Sequence, residues 1–309
     1  QIKGLETITY TYAPSGVAIS IIPELGALIH QLVLALDNRT FDILDIPAED
    51  EMPSNPIYKS SLLAPFPNRV DGGKYAYEGK EYQLPINEGE RNNAIHGFIA
   101  HLPFLLTDET ITGDTLSLTL NNSYTGNYPG YPFPFDTEVS ISLSPEKGLA
   151  CKCTFTNTGP GPQPFGFAWH PYFTLGARVD DLELKLPICK LNEVTDRLIP
   201  TGRLSPYPDF EKGSKIGDRF IDNCFVISDN NSPAETIIRN PAEKFAVRIW
   251  QDASAGKLSH LVVYTPPGRS ALAVEPQSCN IDAFNNHQGL IHLEKNKKTE
   301  MHFGVSLLP

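Results

Sequence analysis

Two ionisable side chains interrupt strongly apolar or aromatic runs in this 309-residue sequence. His170 lies within Phe165-Gly166-Phe167-Ala168-Trp169-His170-Pro171-Tyr172-Phe173, and Glu275 within Ala271-Leu272-Ala273-Val274-Glu275-Pro276-Gln277-Ser278. A histidine with an ordinary pKa near ~6.5 can give and retake a proton, whereas a glutamate near ~4.3 is ionised at neutral pH. The two types together suit general acid–base catalysis, to which each positioned group contributes about 10²–10⁴-fold in rate. A third segment, Leu63-Ala64-Pro65-Phe66-Pro67-Asn68-Arg69-Val70-Asp71-Gly72-Gly73 followed by Asn93-Ala94-Ile95-His96-Gly97-Phe98, offers Arg69 as a planar fork of donors. Asp222, in Phe220-Ile221-Asp222-Asn223-Cys224-Phe225, is a matching acceptor. Trp169, Tyr172, Phe173, Tyr128 and Tyr131 offer flat apolar faces, those of the tryptophan and tyrosines with polar edges.

Other chemistries lack their signatures. The sequence has no Gly-x-Ser-x-Gly elbow, no His-Glu-x-x-His, no phosphate-binding loop and no dinucleotide fingerprint. Gly159-Pro160-Gly161 resembles a glycine-rich loop only superficially, because proline lacks the amide donor that would cradle a phosphate. Cys151-x-Cys153 has no matching Cys or His cluster to complete a four-ligand metal site. Neither a metal nor an organic cofactor is therefore expected.

The elements that must position these residues read as strands. Thr137–Leu143 places Val139, Ile141 and Leu143 on one face, and alternating or continuous apolar runs recur at 16–22, 115–120, 149–157, 245–250, 261–264 and 302–308. The 27 prolines and 23 glycines are dispersed, as suits many short strands joined by turns. No 3.6-residue periodicity marks a long helix; Lys59–Pro65 is at best one helical turn ended by Pro65 and Pro67. With no low-complexity linker and no internal repeat, the expected architecture is one all-β domain over 1–309, built of two packed antiparallel sheets.

Hydrophobic residues at 40% and charged residues at 20% are ordinary for a globular chain. The net charge of −11, from 25 basic and 36 acidic side chains, disfavours nucleic acid and anionic membranes as partners. Lys295-Asn296-Lys297-Lys298 reads as a solvated turn between strands. Cys151, Cys153, Cys189, Cys224 and Cys279 are scattered and odd in number, and Cys151 and Cys153 share one strand face, a poor geometry for a mutual disulfide. Reduced, buried thiols and a cytoplasmic location are expected. No apolar run reaches the ~18 residues of a membrane span, and the segment opening at Gln1 lacks a signal peptide's pattern.

Taken one at a time, the singled-out residues fit ordinary roles. His170 reads as a hydrogen-bonded core histidine, Glu275 as a solvent-facing strand position sharing its face with Ala273 and Gln277, and Arg69 and Asp222 as surface ions. His96 reads as a turn residue and the aromatics as core. His101, His260, His287, His292 and His302 have no partner that raises them above that.

Jointly, Asn68-Arg69 with its glycines, His96-Gly97, His170-x-Tyr172-Phe173 and Glu275-x-Gln277 resemble the aldose 1-epimerase (galactose mutarotase) family in order and spacing, from about Leu62 to the C-terminus. The resemblance implies a β-super-sandwich with an open sugar site, His170 as general acid and Glu275 as general base. It also implies that Arg69, His96 and an aspartate, best matched by Asp222, contact sugar hydroxyls, with Asn68, Tyr172 and Trp169 beside them. The ligand would be a free monosaccharide such as galactose or glucose, the expected assembly a monomer or weak homodimer. Trp169 stands where the best-known members have asparagine, and Pro276 where they have threonine; both departures fit a less characterised branch and leave the sugar open. Two alternatives remain: a hexose-6-phosphate mutarotase using Lys59, Arg91 or Lys74 near Arg69, and a non-catalytic carbohydrate-binding domain.

Overall fold

A computed structural model of the chain describes residues 3–228 and 233–309. Two large antiparallel sheets dominate it. One has nine strands, in the spatial order Leu105–Thr112, Thr115–Tyr124, Phe135–Ser144, Gly148–Asn157, Lys298–Leu308, Phe245–Gln251, Ala234–Asn240, Glu183–Lys185 and Ser214–Lys215. The other runs Pro200–Pro206, Cys189–Val194, Asp222–Ile227, His260–Tyr264, Leu272–Gln277, Ala168–His170 and Ser61–Leu63, and Tyr172–Phe173 also pairs with Leu272–Gln277. A four-stranded meander, Ile8–Tyr12 to Arg39–Asp42, precedes them. The expected all-β sandwich is present, with Ala283–Asn286 the one α-helix among the described residues.

Strand alternation explains how the sheets meet. In Gly148–Asn157 the residues Leu149, Cys151, Cys153 and Phe155 are all buried while Ala150, Lys152 and Thr154 face outward or are half-covered. Cys151 and Cys153 thus share a face, and all five cysteines are buried and unpaired. Trp169 of the second sheet, and Phe167 just before its strand, reach across to Phe303 of the first, Trp169 stacking on it at 5.1 Å. These rings belong to one apolar cluster extending from Val17 to Val305. Among the described residues, no helix is long and apolar enough to cross a membrane.

The Lys59–Pro65 segment departs from the sequence reading. Ser61–Leu63 is a strand, paired with Ala168–His170 through His170↔Ser61 and Ala168↔Leu63. A partner more than a hundred residues away supplies its hydrogen bonds, and the following Ala64-Pro65 bond is cis.

Candidate active site

Register determines which side chains share a surface. Glu275 lies opposite Val262, which lies opposite Cys224, and Ala273 lies opposite Tyr264, which lies opposite Asp222. Ala168 pairs with Gln277, and Tyr172 with Ala273. Period-two alternation then gathers Ala168, His170, Tyr172, Ala273, Glu275, Gln277, Tyr264, Asp222 and Cys224 on the face turned away from the sandwich core. Residues between them, such as Trp169, Val274 and Phe225, point inward.

On that face His170 and Glu275 meet. His170 Nε2 is 3.3 Å from Glu275 Oε1, with the side chains 7% and 3% exposed. Burial pushes the imidazole down to about 4. Burial first, and then the charge of Asp222, pushes the Glu275 carboxyl well above the usual carboxylate range, with Arg69 opposing. Both directions favour a neutral imidazole beside a protonated carboxyl, one proton shared across the contact. His170 Nδ1, Glu275 Oε2 and Gln277 Oε1 are buried without hydrogen-bond partners among the described residues. Each such group costs about 1–3 kcal/mol while unpaired, so the pocket is poised to take a polar ligand.

His96 stands edge-on to His170, with ring centroids 5.2 Å apart. A mutual clasp holds it: His96 N donates to Asn68 O at 2.9 Å, and Asn68 N donates to His96 Nδ1 at 3.2 Å. Nδ1 is therefore an acceptor, which leaves the proton on Nε2 of the neutral ring. Burial, and next the charges of His170 and Arg69, keep this imidazole well below its ordinary value. The clasp requires left-handed backbone at both Asn68 (φ 59°) and His96 (φ 66°), and Tyr58, whose ring lies 4.8 Å from His96, has φ 56°. Non-glycine residues held this way each store about 1–3 kcal/mol, a concentration found at functional sites.

Arg69 pairs with Glu88 in a bidentate fork, Nε to Oε2 and Nη2 to Oε1 both at 2.9 Å. Its remaining nitrogen, Nη1, donates to Asn68 Oδ1 at 3.1 Å. Arg69, Asn68, Asp222, Cys224 and Val262 line one small cleft beside the histidine–glutamate pair. Burial raises the Asp222 carboxyl, partly offset by Arg69 and Arg91.

The structure thus brings His170, Glu275, His96, Tyr172, Asn68, Arg69 and Asp222 to one face. Trp169 is not among them. It is fully buried, donates Nε1–H to Ser60 O at 3.2 Å and packs on Phe303, so it braces the strand from beneath and offers no platform to a ligand. Tyr131 is likewise core, donating its hydroxyl to Pro164 O. Tyr128 is half-buried and stacks on Phe98. Sequence reasoning missed Glu88, which aims Arg69, and Tyr58, which covers His96; no periodic pattern marks either loop residue.

This architecture is that of the galactose mutarotase-like proteins. A galactose mutarotase-like protein from Clostridium acetobutylicum superposes with a TM-score of 0.84 over 98% of each chain at 22% identity. A galactose 1-epimerase from Lactobacillus acidophilus superposes with a TM-score of 0.79 over 99% of each at 17% identity. In sequence, the uncharacterised protein YihR of Escherichia coli (strain K12) is 33% identical over 266 residues, covering 83% of this chain and 80% of that one. The aldose 1-epimerase family profile matches residues 11–306. The chain belongs to the aldose 1-epimerase family.

Proposed function

We propose that the protein is a mutarotase that interconverts the α and β anomers of a free aldohexose, with galactose and glucose the first candidates. The observation that carries this reading is the 3.3 Å contact between His170 Nε2 and Glu275 Oε1 on a buried floor. Opening a pyranose requires removal of the proton on the anomeric hydroxyl and delivery of one to the ring oxygen. Rotation about the C1–C2 bond and closure from the other face invert the centre.

One shared proton suffices for both directions. With the proton on His170 and Glu275 ionised, Glu275 takes the anomeric proton while His170 protonates the ring oxygen. The open chain then leaves a neutral imidazole and a carboxylic acid, the tautomer that burial favours. Reclosure returns both protons. Direct transfer across the histidine–glutamate contact converts the resting tautomer into the reactive one before ring opening, and hydroxyls of the sugar meet the unpartnered Gln277 Oε1 and Glu275 Oε2. Arg69 Nη1, His96 Nε2–H and Asp222 orient the ring. Two groups contributing about 10²–10⁴-fold each are enough for a reaction that already proceeds in water.

The cations that a phosphorylated sugar would need support the free-sugar reading instead. Lys59 is tied to Asp45 at 2.9 Å and donates to Ile46 O, and Arg91 is tied to Glu88. Lys74 lines a different groove with Asp71, Gln83, Asp282 and Asn285. Presence of both members of the acid–base pair likewise favours an enzyme over a binding module. The proposal takes 1–309 as one unit, in the cytoplasm.

Polarimetry on freshly dissolved α-D-galactose and α-D-glucose tests the reading. The enzyme should speed equilibration well beyond the buffer blank; rates equal to the blank across a panel of aldoses would end it.

A further inference from the structure

Tyr58 comes from a loop folded to present it. Its N donates to Asn55 O at 2.9 Å, and the Asn55 side chain grips the next residue from both sides, Oδ1 accepting from Lys59 N and Nδ2 donating to Lys59 O, each at 2.9 Å. The backbone at Tyr58 is left-handed, a conformation that glycine adopts freely and a side chain makes costly. What holds a tyrosine there is what its side chain touches. The ring lies over His96 with centroids 4.8 Å apart, and the hydroxyl accepts from Asn87 Nδ2 at 3.2 Å. Asn87 is itself pinned to Ile95, the neighbour of His96, accepting from Ile95 N at 2.7 Å and donating to Ile95 O at 3.0 Å. Phenol and imidazole are thus tied to one strand end.

The imidazole beneath is 7% exposed, and the groups that face it are cationic or neutral. Arg69 is a permanent cation, and His170, whose ring centroid is 5.2 Å away, becomes one when it takes the proton from Glu275. Burial raises the Tyr58 phenol, which stays uncharged, and His101, 5.9 Å from the same phenol ring, is lowered by burial. Of the nearby ions, Lys59 is paired with Asp45 and Glu88 is taken up by Arg69. A hydrated His96 would regain an ordinary pKa near ~6.5 and charge below it. That charge would repel the imidazolium that His170 must become, and so oppose the reactive tautomer.

We propose that Tyr58 is a positioning residue that acts through His96: its ring excludes water from the imidazole and keeps it an uncharged donor beside His170. For its effect on turnover this rests on the mutarotase reading above.

Two readouts test it. In the ligand-free protein, the His96 ring resonance, assigned by its loss in His96→Asn, is followed by NMR from pH 8 to 5. It should remain that of a neutral ring in wild type and Tyr58→Phe, and titrate with a midpoint moved towards ~6.5 in Tyr58→Gly. Glycine removes the ring without straining this backbone; Tyr58→Asn, which also tolerates it, gives a second truncation. In polarimetry, kcat/KM of Tyr58→Gly should fall about tenfold between pH 7 and 5, as a ring titrating near ~6 requires, while wild type and Tyr58→Phe lose less than about twofold. Adding His101→Gln to Tyr58→Gly should leave that fall in place. A wild-type His96 that titrates near 6, or truncated variants whose His96 stays neutral and whose rate drops by one factor at every pH, would overturn the proposal and leave the mutarotase intact. A wild type that accelerates no sugar would end the mutarotase reading and with it the part of Tyr58 in turnover, whatever the NMR titration shows.

Discussion

Replacing Glu275 by glutamine keeps the shape of the side chain and removes its titration, which separates catalysis from stability. Burial raises the Glu275 carboxyl well above 4.5. A carboxyl raised in the folded state contributes stability that is fully present below its unfolded value and is lost as the pH climbs towards its folded one. Each pH unit in that window costs about 1.4 kcal/mol, because the unfolded chain has released a proton that the folded chain still binds. His170, pushed down to about 4, has the opposite sign: stability rises with pH from about 4 to 6.5, the span in which the unfolded chain alone is protonated. Burial, which Glu275→Gln preserves, sets the His170 shift, so its contribution cancels when the two proteins are compared. Glu275→Gln should match the wild-type melting temperature near pH 4.5 and exceed it by about 3 °C for each pH unit above, at about 2 °C per kcal/mol for a chain of this size, until the folded pKa is passed. Turnover should meanwhile fall about 10²–10⁴-fold. Calorimetry from pH 4.5 to 8 and polarimetry on the same samples give both readouts. A variant destabilised by about 3–5 kcal/mol at neutral pH would refute the reasoning, because that is the signature of breaking a buried ion pair, here imidazolium and carboxylate.

Three further outcomes follow from the same geometry. The pH–rate profile of kcat/KM should be bell-shaped, its acid limb near pH 4 where the pair takes up a second proton and its alkaline limb where the shared proton is lost; an acid limb near 6.5 would mean that burial does not govern His170. Glu88→Gln should raise KM several-fold more than it lowers kcat in steady-state kinetics, since Arg69 loses its bidentate partner and its aim at the sugar, whereas the acid–base pair is untouched. Gly97→Ala should lower stability by about 2–4 kcal/mol in denaturant titration, because a Cβ there would stand 2.2 Å from Ala64 O on a residue with φ 65°.

Much of the frame was legible because alternation is local. Thr137–Leu143 lies inside Phe135–Ser144, and Leu149–Asn157 inside Gly148–Asn157. The shared face of Ala273, Glu275 and Gln277 was also readable from period two, although Glu275 faces a buried pocket and not open solvent. The same period, applied to Trp169 and His170, puts neighbours on opposite faces, so Trp169 as a sugar platform was a misreading that the sequence itself could have prevented. Ser61–Leu63 was not legible, since an apolar run of three has no periodicity and its strand partner lies at Ala168–His170. Glu88 and Tyr58 sit in loops, where placement comes from distant contacts such as Asn87 Nδ2 donating to the Tyr58 hydroxyl at 3.2 Å. Pairing of His170 with Glu275 across more than a hundred residues followed from the family resemblance alone, and register supplies its physical basis.

The central claim is that one imidazole and one carboxyl grip opposite ends of a single hemiacetal. A crystal structure of Glu275→Gln soaked with the sugar that wild type turns over fastest tests it most directly. The anomeric oxygen should lie within hydrogen-bond reach of the residue 275 amide and the ring oxygen within reach of His170 Nε2, with Arg69 and Asp222 on the far hydroxyls. A sugar bound with its anomeric carbon turned away from residues 170 and 275 would contradict it.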